Sequence, residues 1–169
     1  MSIYVTKPFL PPLDEYNSYI EKIFDNGVLT NEGPLVISLE DEISKYLQVS
    51  NVECVANGTL ALQLAIKALA VEGGEIITTP FSYVATTTSI LWEHCEPVFV
   101  DIEPNNFTID VSKIESAITP RTRAIMVVHL YGRLAWTEKI AEICKKHNLK
   151  LVEDNAQAHG CLTADGRMT

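Results

Sequence analysis

The sequence predicts an α/β fold with a mainly parallel central sheet and helices on both faces. From about residue 52 onward, short apolar stretches alternate with segments whose apolar residues recur at helical spacing. The predicted strands are residues 52–56, 75–79, 97–102, 124–130 and 149–153. Because strands that alternate with helices form parallel sheets with right-handed crossovers, we expect ligands to bind at the carboxyl ends of these strands.

Two amphipathic helices are predicted before this alternating region. Apolar residues recur at helical spacing from Leu13 to Phe24, so the first helix begins near Pro12 and ends at Gly27. The same spacing from Leu35 to Leu47 predicts the second helix. Residues 27–34 between them are rich in turn formers and are predicted to form a loop.

Four more helices are predicted between the strands, over residues 60–70, 84–92, 111–117 and 136–147. The first of these is apolar almost all round, which predicts a buried helix. Asp110 is the predicted N-cap of the third. The fourth should face inward with Ile140, Ile143 and Cys144.

Composition narrows the classes of function. The 169 residues are 47% hydrophobic and 21% charged, as in a globular domain, and the net charge of −9 disfavours nucleic acid as a partner. The four cysteines are scattered without zinc or C-x-x-C spacing, so we expect reduced thiols and no metal site. We recognise no signal peptide and no apolar run of membrane-spanning length, so we expect a cytoplasmic protein without a membrane partner.

The segment after the last predicted strand carries the strongest chemical signal. The apolar stretch 149–152 ends in Glu153 and Asp154, and small and polar residues follow. A carboxylate beside a pyridine nitrogen keeps that nitrogen protonated, so the ring can take up electrons from a substrate carbon. Glu153 should face the other side of the sheet. Gln157 and His159 could line the same pocket. Asp154 as a turn cap, and the other two as ordinary polar loop residues, are the alternatives.

A second signal is the tripeptide Asn57-Gly58-Thr59 before the helix at 60–70. Its backbone amides, glycine and hydroxyl suit a phosphate bound at a helix N-terminus. An Asn-Gly turn that only caps the helix is the more common explanation of such a tripeptide. It matches neither the G-x-G-x-x-G fingerprint nor the P-loop, which disfavours a dinucleotide-dependent oxidoreductase.

Two further segments follow predicted strands. Phe81 and Tyr83 come after the strand at 75–79, where an aromatic ring could stack on a flat cofactor, although core packing is the alternative. His129 ends the strand at 124–130. It could touch a ligand, but we favour a hydrogen-bonded core histidine.

Together these segments resemble the DegT/StrS-type sugar aminotransferases, which use pyridoxal 5'-phosphate and have the aspartate-aminotransferase architecture (fold type I). The resemblance runs along essentially the whole chain. The matching blocks, in order, are residues 27–34, 57–62, 79–86, 99–102, 128–132 and 153–160. Residues 78–82 are similar to enzymes acting on dTDP-linked 4-keto-6-deoxyhexoses.

The resemblance also implies roles for individual residues. For the cofactor, Asn57, Gly58 and Thr59 would hold the phosphate, Tyr83 would stack on the ring, Asp154 would pair with the ring nitrogen, and Gln157 would approach the ring hydroxyl. For the substrate, Leu29, Thr30 and His159 would provide contacts. The implied reaction moves an amino group, usually from glutamate, to a nucleotide-linked keto sugar for surface polysaccharides such as O-antigen. The complete protein would be a homodimer.

Two departures from the family pattern affect this expectation. Asn155 stands where the family usually has alanine. None of the nine lysines lies in the context of the family's Schiff-base lysine, so no catalytic residue is assigned. The chemical alternatives are a dehydratase of the same fold that uses histidine in place of that lysine, and a non-catalytic regulatory module.

We therefore expect residues 1–34 to form an N-terminal helix and substrate-entry loop, and residues 35–169 to form the N-terminal part of the cofactor-binding large domain. The polar end at 163–169, with its Asp165-Gly166 turn signal, predicts a cut chain that lacks the C-terminal small domain. Such a fragment should be catalytically inactive. It should also be poorly soluble or prone to associate, because an apolar sheet edge and face would be uncovered.

Overall fold

The computed structural model describes residues 3, 6–164, 166 and 168. The chain divides into two compact units, one that ends at Cys54 and one that begins at Val55. The division into functional segments 1–34 and 35–169 stays a prediction.

The first unit contains the two predicted helices, α1 (Leu13–Asn26) and α2 (Pro34–Leu47). Gly27 ends α1 in the left-handed conformation at φ 68°, and its amide donates to the Ile23 carbonyl at 2.9 Å. Proline at the first position of α2 needs no hydrogen-bond donor there. Both helices are confirmed.

The second unit is built on four parallel strands in the order β2-β1-β3-β4. The strands are β1 (Glu75–Thr78), β2 (Glu96–Phe99), β3 (Thr122–Val128) and β4 (Lys150–Asp154). The predicted strand at 52–56 is wrong, because that segment is irregular. The Cys54 amide donates to the Glu40 side chain at 2.8 Å instead of to a neighbouring strand.

Helices cover both faces of the sheet, as predicted. These are α3 (Gly58–Ala68), α4 (Val84–Trp92), α5 (Val111–Ile114), which continues as a 3-10 turn (Glu115–Ala117), and α6 (Glu138–His147). On one face α3 and α4 pack against Ile76, Met126 and Val152. On the other, α5 and α6 pack against Ile77 and Ile125. Period-two alternation along the strands separates the two cores.

The helix predictions need one correction. In α3 only Leu62 and Ile66 are buried, whereas Leu60 and Leu64 are 45% and 48% exposed. A helix in an outer layer of the fold touches the sheet with one stripe only, so an apolar sequence does not by itself bury the whole helix.

Several smaller expectations can be compared directly with the structure. The inward face of α6 and the cap of α5 are confirmed, since the Asp110 side chain accepts from the Ser112 amide at 3.0 Å. Asp165 of the predicted turn lies outside the described residues. Within the described ranges, no helix is long and apolar enough to cross a bilayer.

Candidate functional site

Asp154 ends β4 and is 9% exposed, on the sheet face that carries α3 and α4. Its Oδ2 accepts from the Thr86 hydroxyl at 3.2 Å, and its Oδ1 accepts from the Ala156 amide at 3.1 Å. The second bond makes Asp154 a cap of the following turn, as one sequence interpretation proposed. A carboxylate offers about four acceptor positions, so two such bonds leave room for a further donor.

A chain of hydroxyls leads away from this carboxylate. The Ser82 and Thr86 hydroxyl oxygens lie 2.7 Å apart, and Thr86 is fully buried in α4. A threonine hydroxyl has a single hydrogen, and Thr86 gives its hydrogen to Asp154, so Ser82 donates to Thr86. Sequence reasoning missed Thr86, because nothing distinguishes it from the threonines at 87 and 88.

Ser82 reaches a cavity of about 290 Å³ beside the carboxyl ends of β1 and β3. The residues that line this cavity are Pro80, Phe81, Ser82, Tyr83, Leu130, Tyr131 and Gln157. Tyr83 is 73% exposed, so its ring is available for stacking rather than packed in the core. The structure therefore brings together the predicted Tyr83 and Gln157. It links Asp154, which does not line the cavity, to them through Thr86 and Ser82.

The Gln157 amide has a defined orientation. Its Oε1 accepts from the Tyr131 backbone amide at 2.7 Å, so its NH₂ group is the end that can donate to a ligand. This is the polarity that a ring hydroxyl oxygen requires. His159 is exposed and is not among the residues that line the cavity, and its contact with substrate stays a prediction.

Glu153 lies on the opposite face of the sheet, as alternation predicted, and His129 lies beside it on that face. His129 is fully buried, its Nε2 lies 3.0 Å from Glu153 Oε2, and its Nδ1 accepts from the Ala135 amide at 2.8 Å. The interpretation of His129 as a hydrogen-bonded core histidine is confirmed.

The tripeptide at the start of α3 caps the helix. The Asn57 side chain accepts from the Leu60 amide at 3.0 Å, and the Asn57 carbonyl accepts from the Ala61 amide at 3.1 Å. Only residues 69–74 separate α3 from β1, so α3 runs back along the sheet and its N-terminus points towards the carboxyl edge. A side chain at Gly58 would meet no atom within 4 Å, which leaves open space beside these amides. The phosphate-binding roles of Asn57, Gly58 and Thr59 stay predictions.

Leu29 and Thr30 belong to the first unit. They lie in the loop between α1 and α2, where the Val28 amide donates to the Asn26 side chain at 2.8 Å. Both line a cavity of about 210 Å³ within that unit, and Leu29 is 81% exposed. Their predicted contact with substrate stays a prediction.

Comparison with known proteins identifies consistent relatives. Residues 13–169 match the model of the DegT/DnrJ/EryC1/StrS aminotransferase family. The chain is 48% identical to a dTDP-4-amino-4,6-dideoxy-D-glucose transaminase of Shigella dysenteriae, over 97% of this chain and 44% of that protein.

Two solved structures are similar to this one. The structure of DesI in the presence of its TDP-sugar product has a TM-score of 0.86 and 32% identity, over 93% of this chain and 40% of that one. NtdA from Bacillus subtilis with bound cofactor PMP has a TM-score of 0.79 and 34% identity, over 92% of this chain and 38% of that one. The chain thus spans less than half the length of these relatives.

Proposed function

Because the chain belongs to the DegT/DnrJ/EryC1/StrS aminotransferase family, we propose that it forms part of an enzyme that transfers an amino group from glutamate to a nucleotide-linked keto sugar. Its fold is that of the fold type I aminotransferases, as the sequence predicted. The observation that carries the proposal is the carboxylate at the end of β4, connected by hydroxyls to a cavity with an exposed aromatic ring.

The side chains at this site fit pyridoxal 5'-phosphate. A carboxylate with spare acceptor capacity suits a protonated ring nitrogen, Tyr83 offers a stacking face, and Gln157 presents N–H donors. When bound, the cofactor supplies a protonated ring that takes up the electrons released as a substrate carbon loses its proton.

The chain's own residues would bind and orient the cofactor. Asp154 would hold a proton on the ring nitrogen, with the carboxylate oriented by its donors Thr86 and Ala156. Tyr83 would cover one face of the ring and exclude water from it. Amides of Gly58 and Thr59 at the α3 N-terminus hold the phosphate, because the first amides of a helix point outward without intrahelical partners.

None of the nine lysines lines the cavity. Amino transfer needs an amine placed to carry a proton between substrate carbon and cofactor. We place that lysine outside residues 1–169 and expect these residues alone to be inactive.

The substrate in this proposal is a dTDP-linked 4-keto-6-deoxyhexose, contacted by Leu29, Thr30 and His159. It is supported by the name of the Shigella relative and by the TDP-sugar product of DesI. The same proposal places the complete protein in the cytoplasm as a homodimer that serves surface polysaccharide synthesis, including O-antigen. These points are supported by the family resemblance.

Binding of pyridoxamine 5'-phosphate tests the site, because this form of the cofactor needs no lysine. Fluorescence titration should give saturable binding, and Asp154→Asn should weaken it by about tenfold or more, the usual effect of losing a hydrogen bond between charged groups. Equal affinity of the two proteins would overturn the assignment of Asp154.

Borohydride reduction in the presence of pyridoxal 5'-phosphate tests the lysine. Mass spectrometry should find weak labelling spread over several surface lysines. One stoichiometric adduct at a single lysine would contradict the placement of the catalytic lysine outside this chain.

A further inference from the structure

We propose that Thr86 is a positioning residue for Asp154, and that its hydroxyl sets how strongly the site prefers a ring with N–H over one with C–H opposite the carboxylate. This inference rests on the proposed function, because it assumes that Asp154 faces the ring nitrogen of the cofactor.

The first argument is the unusual partner of the Thr86 hydroxyl. A threonine within a helix commonly donates to a carbonyl three or four residues earlier, as Thr88 does to Val84 at 3.1 Å. The Thr86 hydroxyl instead donates to a carboxylate 68 residues away in sequence, from a fully buried position. Since the local partner is the easier one, the side-chain rotamer of Thr86 is set by Asp154.

The second argument is the geometry at the carboxylate. Asp154 Oδ1 is held by the amide of Ala156 in the following turn, and Oδ2 is held by Thr86 from α4. The two donors come from different elements and bind different oxygens, so rotation of the carboxylate plane would break at least one bond. A ligand that approaches then meets a fixed set of lone pairs, and such preorganisation is what strengthens a charged hydrogen bond.

The third argument is that Thr86 is itself held. Ser82 donates to its oxygen at 2.7 Å, and Ser82 lines the cavity. The orientation of the carboxylate is therefore tied to the loop that carries Tyr83. Removal of the Thr86 hydroxyl would leave Oδ2 and Ser82 without this link, although the methyl group and the packing would remain.

The experiment compares two ligands in each variant. We would measure dissociation constants for pyridoxamine 5'-phosphate and for its 1-deaza analogue, in which C–H replaces the ring nitrogen. The ratio is the dissociation constant of the 1-deaza analogue divided by that of pyridoxamine 5'-phosphate. It isolates the interaction at the nitrogen, because phosphate, hydroxyl and stacking contacts are common to both ligands.

Four variants make the ratio informative. Thr86→Val keeps the size and branching of the side chain and should lower the ratio by about fivefold to tenfold, a typical effect of one hydrogen bond to a charged group. Thr86→Ser restores the hydroxyl and should restore most of the ratio. Thr88→Val is the matched control on the same helix and should leave it unchanged. Asp154→Asn should bring the ratio close to the value of a site that does not distinguish the two ligands.

The outcomes separate the two proposals. A wild-type protein that does not distinguish the ligands would overturn the proposed role of Asp154 and, with it, this inference. A wild-type ratio that Asp154→Asn abolishes and Thr86→Val leaves intact would overturn the role of Thr86 alone. Equal losses in Thr86→Val and Thr86→Ser would also overturn it, since the hydroxyl would then not matter. Urea unfolding of each variant identifies any loss that comes from misfolding.

Discussion

Glu153 and Asp154 are consecutive carboxylates at the end of one strand, yet they lie in different layers of the molecule. Glu153 faces the α6 layer and meets the buried His129, whereas Asp154 faces the α4 layer and meets Thr86. The first carboxylate is bound to a group in the core, and the second keeps acceptor capacity at the end of a hydroxyl chain that opens to a cavity. Strand alternation alone thus places two identical chemical groups in different surroundings.

Glu153 and its partner His129 have a structural role. Because His129 Nδ1 accepts from the Ala135 amide, we assign the ring hydrogen to Nε2, which donates to Glu153. The His129 amide also donates to the Asp154 carbonyl at 3.1 Å. His129 therefore fastens the ends of β3 and β4 to each other and holds the turn that carries Leu130 and Tyr131 into the cavity wall.

The largest effect should come from His129→Ala. The change empties a fully buried site and removes the acceptor of the Ala135 amide and the hydrogen bond to Glu153, so we expect the free energy of unfolding to fall by about 3 kcal/mol. Urea unfolding measures it. His94→Asn is the control, because His94 is an exposed histidine at φ 56°, a conformation that asparagine tolerates. A loss below about 1 kcal/mol for His129→Ala would show that the pair does not hold the strand ends.

Substitutions of Glu153 should have a smaller effect on stability and should show that Glu153 and Asp154 have different roles. Glu153→Ala leaves the buried Nε2–H of His129 without its acceptor and should cost about 1–3 kcal/mol of stability. Glu153→Gln keeps an acceptor oxygen and should cost less. Neither change should weaken the binding of pyridoxamine 5'-phosphate by more than about threefold, in contrast to Asp154→Asn. If Glu153→Gln weakened binding as much as Asp154→Asn, the division between the two layers would be wrong.

At the N-terminus of α3, at the same edge of the sheet, two substitutions of Asn57 should likewise separate an effect on stability from an effect on cofactor binding. Asn57→Ala removes the side-chain cap and should cost about 1 kcal/mol of stability, while Asn57→Asp keeps a good cap. The aspartate, however, adds a negative charge where the cofactor phosphate is expected, and should weaken cofactor binding by about fivefold. Binding unaffected by Asn57→Asp would place the phosphate elsewhere.

The sequence was sufficient where the physics is local. Alternation assigned Glu153 and Asp154 to opposite faces, and apolar spacing located α1, α2 and α6, including the inward face of α6. Prediction from the sequence failed where the structure of a segment depends on a partner that is distant in the chain. The short 52–56 segment was predicted as a strand, but its Cys54 amide donates to the Glu40 side chain. Likewise, three adjacent threonines look equivalent until the fold brings one of them to Asp154.

The smallest effect concerns a third carboxylate, Glu115, which is exposed on the α6 side of the sheet. Hydrogen bonds from Lys146 at 2.8 Å and His147 at 3.0 Å lower the pKa of this carboxyl to about 2. The folded state therefore releases this proton more readily than the unfolded state. The stability that Glu115 contributes is present above its ordinary pKa of 4.5 and is lost as the pH falls through about 2.

Glu115→Gln should accordingly lower the urea midpoint slightly at pH 6 and not at pH 2. Because solvent and salt screen an exposed pair, 0.5 M NaCl should shrink the difference at pH 6. The same salt should leave the cost of Glu153→Ala unchanged, since His129 is fully buried. A salt-independent effect of Glu115→Gln would mean that this network is packed like the His129 pair rather than solvated. The salt dependence thus distinguishes a carboxylate that stabilises the fold through a buried partner from one in a solvent-exposed ion pair.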